Sequence, residues 1–542
     1  MPGEEAYDYI VVGAGSAGSI VAARLSEGGR HSVLLLEAGG TDKRFWVQVP
    51  LGYGRIWHDE RVNWKYWSEP VPGLGNRPDY YPRGKLLGGS GSINAMVYMR
   101  GQREDYEAWR ALGNPGWGWD EVLAAYRRLE DHHLGASALH GSGGPLHIAS
   151  TRDAAHPTAG VFLEAGRELG YPVLDDVNGP TREGVAYIQL TTRGGMRHSA
   201  SRAFLWPASR RANLRIVTRA HATRLLFDGA RATGVEYRRD GSLRRATARA
   251  EVIVAGGAIN TPQLLQLSGI GPGALLQLHG IQVRRDLPVG LNLQDHLGYD
   301  HMYRATRPTL NDVLYPLLGK LRVGLQYLLT RGGPLSIGSS HAGGFVRSEP
   351  GPRDGTPNMQ LYFAPISFER MVPGKRKVTQ ADPFPGICIS VSPCRPTSRG
   401  TVEIRSPDPF AAPAIQPNTL GTAEDMAELV GGARFLRRLA ATKALSALIE
   451  RESAPGPDVQ SDEALAEDIR RRCYSIFHPC GTARMGPHPR DAVVDARLRV
   501  HGVEGLRVID ASVFPLITSG NLNAPSMMVG LRGAELVLED AR

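Results

Sequence analysis

The sequence predicts an α/β fold: a Rossmann-like domain joined to a discontinuous second domain built on an antiparallel sheet with helices. Three observations predict it. Residues 7–40 read as strand, glycine loop, helix and strand. A second strand–glycine–helix corner spans residues 251–271. Residues 358–364, 386–392 and 400–405 read as strands of an antiparallel sheet, and 424–450 and 461–474 as helices.

Tyr7 to Val12 is a short apolar run, the pattern of a buried parallel strand. Gly13, Gly15 and Gly18 follow as G-x-G-x-x-G. Gly13 lets the chain turn tightly off the strand. Gly15 lets backbone approach a pyrophosphate, and Gly18 lets the helix lie close to the strand. Ala17 to Leu25 has helical spacing, and its N-terminus offers N–H groups and a positive dipole end to phosphates. Ser32 to Leu36 is a second strand ending on Glu37, 19 positions after Gly18. A carboxylate there accepts a hydrogen bond from a ribose hydroxyl. Together these parts indicate a dinucleotide site.

Residues 41–82 read as a long covering connection rich in Trp, Tyr, Pro and Gly. Its Asn63–Trp67 cluster reads first as core packing and second as a wall facing a ligand. Gly84, Gly88, Gly89 and Gly91 follow, four glycines in eight residues, which let backbone lie flat against a planar or phosphorylated ligand. Residues 103–131 have helical periodicity broken at Asn114-Pro115-Gly116, and His156 to Leu169 reads as another helix. Asn213–Thr218, Ala222–Phe227 and Thr233–Tyr237 read as strands. At the second corner, Glu251 to Ala258 is a buried strand, and Thr261 is placed to cap a helix with Pro262 at its first position. Leu310 to Thr330 is amphipathic. Packing on its own domain is the first reading, with a pocket cover, a subunit contact or a membrane surface as alternatives.

Composition narrows the function. An apolar fraction of 42% and a charged fraction of 22% belong to a globular chain that buries a large core. The net charge of +9 comes mostly from scattered arginines, since only seven residues are lysine; no block reads as a nucleic-acid arm. Cys388, Cys394, Cys473 and Cys480 lack the spacing of a zinc or thiol-redox site, so free thiols in a reducing, cytoplasmic setting are expected. No secretory leader or spanning helix is read.

The last third carries Phe477-His478-Pro479-Cys480-Gly481-Thr482, then a strand ending on Asp510, then Gly520-Asn521-Leu522-Asn523-Ala524-Pro525. With the opening glycine motif, the Gly84–Asn94 stretch and the Gly257–Gly271 stretch, this chain resembles the glucose–methanol–choline (GMC) oxidoreductase family of FAD enzymes, in particular its choline-dehydrogenase-like bacterial alcohol dehydrogenases and oxidases. The four landmarks stand in the family's order over nearly the whole chain. The resemblance implies an FAD-binding domain over 1–152, 195–298 and 474–542, and a substrate domain over 153–194 and 299–473.

It also implies roles. With no zinc constellation to acidify a hydroxyl, a histidine is the natural base. His478 matches the family's active-site histidine, and Asn521 matches its second catalytic position, where Asn can hold a substrate oxygen but not carry a proton. Gly13, Gly15, Ser16, Ala17, Gly18, Glu37 and Ala38 match the ADP side of the FAD site, with Ala222 meeting the adenine through its backbone. Gly89, Ser90, Asn94, Ala95, Met96 and Val97 match the ring and ribityl side; Gly257, Asp510, Ala511, Asn523 and Pro525 complete the set. Ile93 stands where some members attach FAD covalently through histidine, so FAD is expected to be dissociable. Gly298 stands where choline-specific members carry Glu, which favours a neutral primary alcohol. The electron acceptor is O2 or a quinone or dye type, with the resemblance leaning to a dehydrogenase; the oligomeric state is not assigned. Cys394-Arg395-Pro396 resembles a stretch of the family's light-driven fatty-acid decarboxylases, which, with the hydroxynitrile lyases, supply the alternative reading.

Overall fold

Glu5–Val12 lies between two parallel neighbours, with Ile10 opposite Leu34 on one side and Val252 on the other. All three side chains are fully buried, which explains why these strands read as unbroken apolar runs and not as alternations. The computed structural model describes residues 5–349, 355–369 and 380–541; residues 1–4, 350–354, 370–379 and 542, which fall in the expected domain ranges, lie outside the described residues.

The sheet runs Leu214–Thr218, Val33–Glu37, Glu5–Val12 and Ser242–Val254, all parallel. The last of these is a 13-residue strand that serves two partners on its far edge. Its first half pairs antiparallel with Arg231–Arg239, which pairs in turn with Ala220–Asp228. Its end, at Val252–Val254, pairs in parallel with Leu506–Val508. The C-terminal third of the chain thereby inserts a strand next to the N-terminal ones. The parallel strands end at Val12, Glu37, Val254 and Val508, so the loops after them open on one crevice.

The second sheet is antiparallel: Ala342–Val346, Met359–Ala364, Gly386–Pro393, Leu297–Ala305 and Ile449–Ala454. Its strand Leu297–Ala305, between Gly386–Pro393 and Ile449–Ala454, continues directly from Asp295 and His296, and Tyr474–Ser475 pairs with its first two residues. Ala423–Ala440 covers this sheet through Leu429, Phe435 and Leu436.

Four elements differ from the sequence expectation. The helix of the second corner spans Gly257–Leu267, so Thr261 and Pro262 lie inside it. Pro262 has no N–H for the carbonyl of Ala258, and the Thr482 hydroxyl donates to that carbonyl at 2.7 Å instead. The helical pattern of 424–450 stops at Ala440; Thr442 caps a short turn, and Ile449–Ala454 is a strand. Thr401–Glu403 pairs with Ala414–Gln416 in a separate ribbon, outside the larger sheet. The 310–330 segment divides at Pro316 into Leu310–Leu314 and Leu317–Thr330, and of the second helix only Val323 and Tyr327 are buried. Packing on its own domain therefore does not account for its leucines.

Candidate active site

Two helices begin beside the crevice. Ser16–Leu25 follows Gly15, which has no side chain to cap it, and Asn523–Asp540 is likewise uncapped by a side chain. Their first N–H groups are thus free for an anionic ligand. The Ser16 hydroxyl donates to Asn523 Oδ1 at 2.7 Å and ties the two ends together. The Gly89–Ser92 turn enters at the same point. A Cβ on Gly89, where φ is +52°, would lie 2.7 Å from Gly15 Cα. The turn and the start of the first helix meet backbone to backbone, with no room for a side chain between them.

The crevice consists of a narrow cavity of about 180 Å³ adjoining a wide one of about 1800 Å³. Of the expected cofactor residues, Gly13, Gly15, Ala17, Glu37, Ala38, Gly89, Ala222, Gly257 and Asp510 line the narrow part, and Ser16, Ser90 and Ala511 line both parts. Asn94, Ala95, Met96, Val97 and Asn523 line the wide part with His478 and Asn521. Gly18 and Pro525 line neither. A Cβ on Gly18 would lie 2.0 Å from the Gly13 carbonyl, so this glycine serves the close packing of helix on loop. Pro525 is buried in the first turn of the last helix. Trp64 lines the narrow cavity, and its stacking partner Tyr66 is buried in the core, so the aromatic cluster divides between the two roles weighed for it.

The acids at the strand ends brace loops. Glu37 accepts from the N–H of Ala14 at 2.9 Å and of Gly39 at 2.8 Å, and burial pushes its carboxyl up to about 7. Asp510 accepts from the Gly257 N–H at 2.8 Å, the Thr261 hydroxyl at 2.6 Å and the Ser512 N–H at 2.7 Å. It thereby ties the second corner to the C-terminal strand.

His478 stands on a braced turn. Its N–H donates to Asp295 at 2.7 Å; burial pushes this carboxyl up to about 6. The preceding Phe477 has φ +72°, a conformation strained for a side-chain-bearing residue. Ser475 Oγ accepts its N–H at 2.9 Å, and Arg83 donates to its carbonyl at 2.6 Å. Burial, the neighbouring His296 and Arg83 together hold the His478 imidazole well below the usual histidine range.

The ring nitrogens of His478 have defined partners. Nδ1 lies 3.1 Å from His296 Nδ1, and Nε2 lies 3.2 Å from Asn521 Nδ2. His296 Nε2 lies 3.0 Å from the Cys394 carbonyl, which can only accept, so His296 carries its proton on Nε2. Burial keeps His296 neutral, with its pKa lowered to about 4, so its Nδ1 is an acceptor. His478 therefore donates from Nδ1 and presents a bare Nε2. The Asn521 amide is oriented from the other side: its Oδ1 accepts from Gln360 Nε2 and from the Tyr362 hydroxyl, both at 3.2 Å. Its Nδ2 is then the group directed at His478.

His296, Gln360 and Tyr362 were not foreseen as site residues. The last two alternate on one face of Met359–Ala364, a period-2 polar signal inside an apolar strand. The orienting role of His296 has no local signal, because it depends on a carbonyl 98 residues away. Arg395 lines neither cavity and pairs with Asp105 at 3.1 Å, so of the stretch that resembles the decarboxylases it is the Cys394 carbonyl that reaches the site, through His296. All four cysteines are buried, and none is joined in a disulfide. His132, His140 and Asp176 also cluster, their ligand atoms within 4.8 Å, but outside both cavities. The two imidazoles stack at 3.8 Å and 13°, which keeps their in-plane lone pairs from converging on one ion.

A glycine-lined crevice opening on a paired His and Asn is the layout of a dinucleotide-dependent redox enzyme. Two family models, both described as GMC oxidoreductase, match residues 7–298 and 396–530. The chain is 41% identical over 541 residues to the mitochondrial choline dehydrogenase of Homo sapiens, covering 98% of this chain and 89% of that one. It is 40% identical to the alcohol dehydrogenase (acceptor) of Pseudomonas putida, covering 98% and 96%. Among solved structures, pyridoxine 4-oxidase from Mesorbium loti superposes with a TM-score of 0.86 at 32% identity, over 97% and 98% of the two chains. A formate oxidase of Aspergillus oryzae, studied for modification of its FAD, superposes with a TM-score of 0.92 at 28% identity, over 99% and 98%. This chain belongs to the GMC oxidoreductase family, and is an FAD-dependent oxidoreductase acting on CH–OH donors.

The donor set fits that cofactor: two open helix ends for a pyrophosphate, a buried acid at a strand end, and a side-chain-free contact at Gly89. Gly89→Ala should accordingly lower the flavin bound per protein after purification, because the new methyl pushes the turn off Gly15. A variant that keeps stoichiometric flavin and an unchanged melting temperature would contradict this account of the contact.

Proposed function

We propose that this enzyme oxidises a neutral primary alcohol to the aldehyde, with His478 Nε2 as the base that takes the hydroxyl proton. FAD, when bound, supplies the acceptor of the hydride at its N5. The observation that carries the reading is the polarity of the hydrogen-bond chain from the Cys394 carbonyl through His296 to His478. It leaves a lone pair on His478 Nε2, beside the amide donor of Asn521, and both residues line the wide cavity. A substrate hydroxyl seated between Nε2 and Asn521 Nδ2 would lose its proton to the first while its oxygen accepts from the second. Asn521 cannot carry the proton away, so His478 is the single base of the pair.

The burial of the strand-end acids and the glycine contacts support FAD held between the 1–152, 195–298 and 474–542 segments, with the antiparallel sheet of the remainder forming the substrate wall. Ile93 is buried and cannot form a histidyl link, which supports a dissociable cofactor. Gly298 lines the wide cavity, and a Cβ on it would lie 2.7 Å from the Tyr474 ring. Tyr474 thus fills the place that a longer acidic side chain would need, which supports a neutral substrate over choline.

Anaerobic mixing of the flavin-loaded enzyme with a panel of primary alcohols tests the reaction, and admitting air afterwards separates O2 from other acceptors. Flavin that no alcohol bleaches would remove the proposal. His478→Ala should retain the flavin spectrum and lose about 10²–10⁴-fold in the rate of reduction. His296→Gln should lose less, about ten- to a hundredfold, as expected from one buried hydrogen bond lost; a rate equal to wild type would remove its orienting role. The pH profile has a definite sign. The base works only when neutral, and its pKa lies below the ordinary value of about 6.5. Reduction should therefore stay level as pH falls through that value and decline only at more acid pH. A decline centred at or above it would show that the base is not the buried imidazole.

A further inference from the structure

The helix Leu317–Thr330 has no role in the chemistry above, and its composition is unusual for a surface helix. Leu317, Leu318, Leu321, Leu325, Leu328 and Leu329 are each between 57% and 79% exposed. At 3.6 residues per turn, about 100° per residue, these six side chains fall within an arc of about 120°. Val323 and Tyr327 lie opposite and are buried. The Tyr327 hydroxyl donates to the Gly195 carbonyl at 3.0 Å, so the helix is anchored by one face and presents the other. Phe45, itself exposed, packs edge-on against Tyr327 and extends the patch. Single exposed apolar residues are ordinary, but a contiguous apolar face of this kind marks an interaction site.

We infer that this helix docks the enzyme on an anionic lipid surface and holds one wall of the wide cavity against the bilayer. The charge pattern favours lipid over a second copy of the chain. Lys320 and Arg322 flank the leucine arc on either side, Arg331 follows at its end, and no Asp or Glu occurs from Val313 to Ser348. Two such helices packed on each other would juxtapose cations with no acid to pair them. An anionic headgroup layer takes the leucines into its acyl boundary and the flanking cations at its surface. The helix has 14 residues, and among the described residues none is long and apolar enough to cross a membrane, so it lies in the plane of the interface. Tyr315, Lys320, Val323 and Gly324 also line the wide cavity, so the docked helix is part of the cavity's wall. Docking does not depend on the chemistry in the cavity, and its test reads binding alone.

The test is co-sedimentation of the flavin-loaded enzyme with vesicles of phosphatidylcholine, with and without phosphatidylglycerol. Wild type should sediment with the anionic vesicles, and added salt should weaken the binding. The double variant L318S/L325S should reduce the bound fraction at least tenfold while its flavin absorbance and melting temperature stay at wild-type values. The variant K320E/R322E should lose the preference for phosphatidylglycerol. Wild type that stays in the supernatant with both vesicles overturns the inference, as does a leucine variant that sediments like wild type. So does a wild-type dimer that L318S/L325S dissociates without any vesicle binding, since a second copy then covers the face.

Discussion

The packing of the last helix on the first is the constraint around which the site is assembled. Gly530 lets the two backbones touch, since a Cβ there would lie 2.7 Å from Ala17 Cα. That contact brings Asn523 to Ser16, some 507 residues away in sequence, and the residues just before it, Asn521 among them, to the edge of the wide cavity. The Gly89–Ser92 turn wedges into the same place: a Cβ on Gly91 would lie 2.8 Å from Ser16 Oγ and 3.1 Å from Asn523 Oδ1. Three segments from the start, the first fifth and the end of the chain thus share one point. Only glycine permits an approach that close, and phosphate recognition by backbone N–H requires it.

From that point the chemistry depends on direction as much as on distance. A carbonyl has no proton to give, so Cys394 fixes the tautomer of His296, and His296 fixes that of His478. On the far side, Gln360 and Tyr362 fix which end of the Asn521 amide faces the base. Each of these groups is buried or half-buried, where a hydrogen bond is electrostatically stronger and a wrong orientation is costly. The same burial keeps both imidazoles neutral, which is the state a proton acceptor must be in before reaction. The strained Phe477 turn is held by three separate braces, from Ser475, Arg83 and Asp295. Strain that is over-determined in this way holds a side chain in one place.

The two sheets divide the work. The parallel one gathers strand ends around a crevice, and the chain leaves it twice and returns. The antiparallel one begins at His296 and supplies Gln360 and Tyr362, so it contributes orientation to a base carried by another segment. The helix Leu317–Thr330 leaves its leucines exposed, while Lys320, Val323 and Gly324 on it line the same cavity.

The sequence by itself determined the parts whose physics is local. Gly13, Gly15 and Gly18, the apolar strands and Glu37 stand within one strand–helix–strand unit, so period and spacing are enough to read them. His478 and Asn521 were legible only through the resemblance, because no local pattern marks a base. Pro262 misled for a similar reason: a proline prefers the first turn of a helix, and the Thr482 hydroxyl that lets it sit further in comes from 220 residues downstream. The tertiary structure decided the tautomer of His478, the direction of Asn521 and the exposure of the 317–330 leucines. Each depends on which surface packs against which, and a hydrogen-bond partner or a missing neighbour supplied by a distant segment leaves no trace in the spacing of the residues it affects.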